Sequence, residues 1–283
     1  MIYYLLMLGI PLMNCLQSVS QKQYNLKYEK PNVILFSAVT SMIALCFFLV
    51  TSRFQLSFDA RLIPYSLGFA VGYSAGWVGT VLAVRYGLMA ISSLIVNCSL
   101  IFPTAYGIML GEPVTPLLLT GVALLLASFV LVNLKFEEGS RFSWKWFGCV
   151  MVAFFGNGLC AVTQNMHKRA LGDAYGDEFM IIALAAASAM LLVIAMLTSR
   201  DIRGDFKGCV PYSALNGVSN GIINFLVLIL IGNVPNTVLY PTNAATSMIA
   251  AFLLSYIVYK ERFSKVQYIG YALGIVSIVM LNI

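Results

Sequence analysis

The chain has 283 residues, of which 60% are hydrophobic and only 10% charged. A soluble domain carries about 45–50% apolar and about 25% charged residues, so these charges are too few to cover a water-facing surface, and a soluble globular protein is excluded. The formal net charge of +6 does not point to nucleic acid, because the Lys and Arg residues sit in short segments between apolar stretches, which is how membrane topology is written.

Taken in chain order, the apolar stretches predict ten helical spans, at about 2–21, 31–51, 63–84, 88–110, 116–134, 145–166, 179–198, 210–231, 238–259 and 266–283. Each is about twenty residues long, enough to cross a hydrocarbon core of roughly 30 Å. The ten-residue alternation of a transmembrane barrel is not seen. The breaks carry charge and turn formers, as in "KYEKPN", "SRFQLSFDAR", "GEP", "KFEEGSR", "HKRALGDAYGDE", "SRDIRGDFKG", "GNVPN" and "KERFSK". None is long enough for a soluble domain. The start lacks a basic segment and a cleavage site, and it reads as a first span and not as a signal peptide. The six cysteines, at 15, 46, 98, 149, 160 and 209, lie inside or at the edges of spans without a CxxC pair. They are expected to be small core residues and not disulfides or metal ligands.

The chain repeats itself. "GVALLLASFVLVNL" at 121–134 and "GYALGIVSIVMLNI" at 270–283 match at Gly121/Gly270, Ala123/Ala272, Leu124/Leu273, Ser128/Ser277, Val130/Val279 and Asn133/Asn282, an offset of 149. Glu112 and Glu261, just upstream, share that offset. The third and eighth spans both open with Pro-Tyr-Ser, at Pro64–Ser66 and Pro211–Ser213. The first and sixth share "NCLQSVSQ" (14–21) and "NGLCAVTQ" (157–164). Collinear matches in three span pairs indicate duplication of a five-helix unit, residues 1–137 and then 138–283. Five is odd, so the second unit enters the membrane inverted. Inverted repeats are a recurring build of secondary transporters, with the substrate site near the midplane at the repeat interface. The expected class is therefore all-α, a polytopic membrane protein of ten transmembrane helices in a 5+5 arrangement.

An acidic residue closing the fourth and ninth spans, with a G-x-A-L helix after each, resembles the drug/metabolite transporter superfamily, most closely its EamA-domain branch. The residues that carry the likeness are "GIMLGEPVTPLLLTGVALLLASFVLVN" (107–133) and "YIVYKERFSKVQYIGYALGIVSIVMLN" (256–282). The resemblance implies a central cavity surrounded by spans one to four and six to nine, with spans five and ten packed outside. It also implies both chain ends in the cytoplasm. Charge says otherwise. With the N-terminus inside, the inside loops would hold only Arg53, Arg61, Lys168 and Arg169, and the other 13 Lys and Arg would lie outside. The positive-inside rule favours both ends outside.

Polar groups within spans need a partner or a purpose. All eleven Asp and Glu fall in loops or at span ends. The mid-membrane carboxylate with which four-helix multidrug relatives exchange protons for cations has no counterpart, which disfavours proton-coupled export of lipophilic cations. Amides and aromatics take its place. Asn14, Gln17 and Gln21 share one face of the first span, with Ser18 alongside. The sixth repeats the pattern with Asn157 and Gln164. The third offers Tyr73 and Trp77, the fourth Asn97, the eighth the stripe Asn216, Asn220 and Asn224, and the ninth Tyr240 and Asn243 around Pro241. Amides donate and accept, which suits a neutral or zwitterionic solute, and aromatics supply flat apolar walls. These are the candidate substrate contacts, although Asn and Gln in membranes also bond helix to helix. Lys22 and Arg85 are candidate charges at the cavity mouth, or else snorkel to headgroups. His167 is expected at the membrane interface. Glu112 and Glu261 are expected to cap or pair at helix ends, Asn133 and Asn282 to be structural, and Gly68, Gly72 and Gly76, with Gly217 and Gly221, to give close helix contact.

The sequence thus predicts a metabolite carrier working by alternating access in a prokaryotic plasma (inner) membrane, with a small polar molecule such as an amino acid as substrate. The rival within the same fold is a multidrug exporter of cationic or aromatic compounds. No nucleophile with a base and no clustered ligands support an enzyme, a metal or another cofactor. The expected partners are the small-molecule substrate and the lipid bilayer, not nucleic acid. The charge count predicts that alkaline phosphatase fused after Ile283 is active and that green fluorescent protein fused there stays dark; the opposite pair of results would place the ends in the cytoplasm.

Overall fold

The computed structural model describes residues 2–29, 31–86, 89–133, 143–199, 201–260 and 262–282. These residues form eleven α-helices: α1 Ile2–Lys27, α2 Val33–Thr51, α3 Leu62–Tyr86, α4 Met89–Asn97, α5 Ile101–Met109, α6 Pro116–Asn133, α7 Trp144–Leu171, α8 Gly176–Thr198, α9 Ile202–Leu230, α10 Asn236–Ile257 and α11 Lys265–Leu281. A 3₁₀ turn, Cys98–Leu100, joins α4 to α5, so the described residues make ten rods. Eight rods are long and apolar enough to cross a membrane, and α6 and α11 are shorter apolar helices.

Three helices overrun the predicted spans. α1 continues to Lys27, α7 runs through Leu171, and α9 starts at Ile202. Hydropathy marks the edge of the apolar slab, whereas a helix ends where its backbone groups find other partners. For α9 that point is Asp201, whose carboxylate accepts from Gly204 N at 3.1 Å. Pro211 therefore lies inside α9, while its sequence counterpart Pro64 sits in the first turn of α3. The turn between α4 and α5 precedes Pro103, which has no N–H for the carbonyl four residues back.

The closest packing needs glycine. A Cβ on Gly156 of α7 would lie 2.6 Å from Gly76 N and 2.7 Å from Gly72 O of α3, and one on Gly79 would lie 2.6 Å from Ala153 N. The two backbones touch, as the small-residue face of α3 predicts. Gly217 and Gly221 of α9 seat Ile43 and Phe47 of α2 in the same manner.

Contacts recur in pairs across the two halves. α3 packs on α7 as α9 packs on α1, α2 crosses α8, and α6 lies along α11. Ser66 Oγ of α3 donates to Phe179 O of α8 at 3.1 Å, and Ser213 Oγ of α9 donates to Phe36 O of α2 at 3.3 Å. Gly121 of α6 rests on Leu281 of α11, and Gly270 of α11 rests on Val132 of α6, the same two positions with the halves exchanged. This is where the repeated stretch goes: α6 and α11 are each other's partners, and Ser128 Oγ donates to Gly270 O at 2.6 Å between them.

One end of the bundle gathers the end of α1 with the starts of α2 and α9, through Asn32 N donating to Tyr24 OH at 3.1 Å and Asn32 Nδ2 donating to Asp205 Oδ2 at 2.9 Å. Trp146 Nε1 donates to Ser92 Oγ at 2.9 Å there, tying the start of α7 to α4. At the other end Ser57 N and Oγ donate to Glu178 Oε1 at 3.0 and 3.1 Å, and Lys168 Nζ reaches Leu228 O at 3.2 Å. The glycine contact yields a direct expectation. Gly156→Ala costs about 1–3 kcal/mol of stability, read as a lower Tm in detergent, whereas Gly148→Ala, with nothing within 4 Å of its new carbon, keeps or slightly raises Tm, alanine being the better helix former by about 0.5–1 kcal/mol; equal losses would mean that α3 and α7 do not touch at Gly156.

Candidate functional site

Like α9 with Pro211, α1 and α10 carry an internal proline, Pro11 and Pro241. With α4, α5 and α7 they stand around a cavity of about 1330 Å³. Its walls are Asn14, Cys15, Gln17, Ser18 and Gln21 from α1, Ser93, Val96 and Asn97 from α4, and Asn157 and Ala161 from α7. α10 contributes a stripe from Tyr240 through Asn243 and Ser247 to Ser255. Along that helix the cavity extends roughly 22 Å at 1.5 Å per residue. The 3₁₀ turn adds Ser99 and Leu100, so the one break in the α-ladder of the fourth rod faces the cavity.

The cavity opens at the end where α1 and α10 finish and α11 begins. Phe263, Gln267 and Tyr271 line it there, opposite Phe129 and Val132 of α6. The outer pair α6 and α11 therefore reaches the cavity, contrary to the family expectation, and α2, α3, α8 and α9 supply none of its described lining. The floor is Tyr240, whose hydroxyl accepts from Asn165 Nδ2 at 2.7 Å. Beyond the floor, at the start of α10, Glu112 accepts from Asn236 Nδ2 and from Thr237 N, both at 2.9 Å. At the same end the exposed Arg61 guanidinium holds the Asp59 carboxyl below the usual carboxylate range.

Of the predicted contacts, Asn14, Gln17, Gln21, Asn97, Asn157, Tyr240 and Asn243 come together at the cavity. Asn14 Nδ2 also donates to Ser247 Oγ at 2.9 Å, linking α1 to α10 along the wall. Five others point elsewhere. Asn216 is 2% exposed and donates to Gln17 O at 3.1 Å, while Gln17 Nε2 reaches back to Asn216 O at 3.3 Å. Gln164 donates to Asn224 Oδ1 at 3.1 Å, and Asn224 donates to Asn220 Oδ1 at 3.1 Å, so this set joins α7 to α9. Tyr73 is buried against Phe69, with Trp77 beyond it. Tyr73, Trp77, Asn216 and Asn220 lie on α3 and α9, behind the wall, and Gln164 lies further along α7 on the stripe that begins at Asn157, where it is buried and bonded to α9.

Lys22 lies with its Nζ 3.5 Å from the centre of the Tyr259 ring, beside the mouth but outside the lining. Arg85 is exposed in the last turn of α3, away from the cavity. His167 corrects the expectation of an interface residue: it is fully buried, stacked on Phe179 at 4.4 Å. Asn282 donates to Thr242 Oγ1 at 3.1 Å and so fastens α11 to α10. Glu261 and the side chain of Asn133 lie outside the described residues.

Several lining residues escaped the sequence reading, among them Cys15, Ser247, Ser255, Gln267 and Tyr271. The signal for α10 was present. Tyr240, Asn243, Ser247, Ala251 and Ser255 recur at helical spacing, a stripe of small and polar residues that hydropathy averages away.

Sorting the amides by partner makes a prediction. Asn216→Ala removes a buried bond between helices and costs about 0.6–2 kcal/mol, whereas Asn97→Ala, on the cavity wall, leaves Tm in place; equal losses from the two would contradict the sorting.

With the geometry in hand, comparison with known proteins adds the following. The model of the EamA-like transporter family matches residues 146–283. A solved structure described only as "Crystal structure of protein" is similar over 99% of this chain and 98% of its own, with a TM-score of 0.79 and 15% sequence identity, a likeness of fold alone. No curated protein matches.

Proposed function

From a chain that belongs to the EamA-like transporter family through its second half, residues 146–283, we propose a multi-pass carrier of a prokaryotic plasma membrane that moves a small polar metabolite by alternating access. The observation that carries the reading is the cavity wall. Seven amides line it (Asn14, Gln17, Gln21, Asn97, Asn157, Asn243 and Gln267), with serine and tyrosine hydroxyls, and no charged side chain stands among the described lining residues. Each amide offers donor and acceptor together, which matches a solute with both kinds of group and no net charge, such as an amino acid or a related zwitterion.

The paired contacts of the two halves support an inverted five-helix repeat, 1–137 and 138–283. Exchanging the roles of two such halves would close the open end and open the closed one, which is how repeats give alternating access. On the positive-inside rule, the cavity end, where Lys22, Lys27, Arg85, Lys145, Arg203, Lys207, Lys260, Arg262 and Lys265 gather among the described residues, is cytoplasmic, so this conformation is open to the cytoplasm. The aromatic walls, Phe129, Tyr240, Phe263 and Tyr271, are what a multidrug exporter of cationic or aromatic compounds would use. That rival has no carboxylate at the described wall to hold its cation.

Without a wall carboxylate to carry a proton, the carrier works by exchange or facilitated diffusion. In liposomes, exchange of a labelled polar metabolite is expected to continue when an imposed pH gradient is collapsed. The substrate is to be found first by thermal shift, where saturation at 100 times Kd adds about 2.7 kcal/mol. Strict dependence on the proton gradient, or thermal shifts confined to cationic dyes, would sink this reading in favour of the rival.

A further inference from the structure

The Gly-Glu pair at 111–112 is more than the end of a helix. Gly111 has φ +82, and its N–H donates to Ile108 O at 3.0 Å while Glu112 N donates to Gly107 O at 3.1 Å. This is the double bond pattern of a Schellman cap, which needs a left-handed residue. The turn sends the Glu112 side chain back over α5, where a Cβ on Gly107 would stand 2.4 Å from Glu112 Oε2. One glycine turns the chain and the other makes a seat for the carboxylate.

The seated carboxylate faces the start of α10. That helix begins after Pro235, which gives no side-chain cap, and its first turn holds no acid. Its first N–H groups would be orphans in a buried position. Glu112 accepts from Thr237 N with one oxygen and from Asn236 Nδ2 with the other, both at 2.9 Å, and its charge complements the positive end of the helix. Asn236 is 5% exposed and Thr237 fully buried. The cap is thus supplied to a second-half helix by a first-half turn, at the closed end and one turn beyond the cavity floor.

The junction is only partly satisfied. Asn236 Oδ1 and Thr237 Oγ1 are buried without a hydrogen-bond partner among the described residues. Closing this end gains two bonds to a carboxylate and strands an amide oxygen and a hydroxyl, whereas opening it admits water to all of them. A gate needs that near-balance.

We propose that Glu112, seated on Gly107, is the lock that holds this end of the transport path shut, and that release of the α10 start from its carboxylate is the opening step. The proposal rests on the alternating-access reading above and names the device that regulates it.

The native Cys15 lines the cavity and serves as reporter once Cys46, Cys98, Cys149, Cys160 and Cys209 are replaced by alanine. A membrane-impermeant thiol reagent is applied to right-side-out and to inverted vesicles, so that Cys15 is labelled through one end or the other. Glu112→Ala and Asn236→Ala, which break the lock from opposite sides, are each expected to raise labelling through the closed end relative to the cavity end by about tenfold, the effect of losing a charge-assisted hydrogen bond. Glu112→Gln, which keeps the shape without the charge, is expected to fall between. Tm recorded alongside excludes general loosening, which would raise labelling from both ends together. If the parent is labelled from both ends and no folded variant shifts the ratio, the lock is overturned and alternating access stands. If no protein is labelled through the closed end, both fall.

Discussion

Inside an apolar slab a polar side chain must either bond to a neighbour or border water. That constraint divides the amides of this protein into two populations. Asn216 with Gln17, and Gln164 with Asn224 and Asn220, bond across helices and hold the layers together. Asn97, Asn157 and Asn243 stand at a cavity wall that is wide at one end and floored at the other. Gln17 belongs to both groups, which is how the cavity wall is anchored to the layer behind it. α7 carries part of the wall on one face and meets α3, glycine against backbone, on another.

The same division explains what the sequence could and could not reveal. The apolar stretches and their order were legible, because hydropathy needs no third dimension. The partner of the repeated stretch was not, although the answer is short: it packs against its own copy, Gly121 on Leu281 and Gly270 on Val132. Nor could spacing tell which face of a helix meets water. Asn14 and Asn216 look alike in a list of intramembrane amides. One stands on a wall and the other is sealed between α9 and α1, because only tertiary packing assigns a helix to the inner or outer layer.

Helix ends misled in a regular way. Charged flanks such as "HKRAL" and "IRGDF" read as loops, yet they continue α7 and α9 by whole turns. His167 changed place for the same reason: α7 continues past it, and α8 folds back to bury the ring against Phe179.

The two halves are copies that are not equal. The turn after α5 has Gly111 at φ +82 and a glycine seat at Gly107, and the matching positions after α10 are Lys260, at φ +51, and Tyr256. A lysine in the left-handed region is strained where a glycine is not, and a tyrosine leaves no hollow for a returning side chain. If Glu112 closes its end as proposed, that end is the better built of the two, and the resting population of such a carrier would lean toward the cavity facing the other way. Such a carrier, working by the proposed exchange or facilitated diffusion, could not turn the lean into net pumping. It can only divide affinity unequally: a solute arriving at the favoured face meets a ready site, and one arriving at the far face meets a site diluted by the fraction of molecules that are open there. Half-saturation then differs between the two faces while the balance point of transport stays where the concentrations put it.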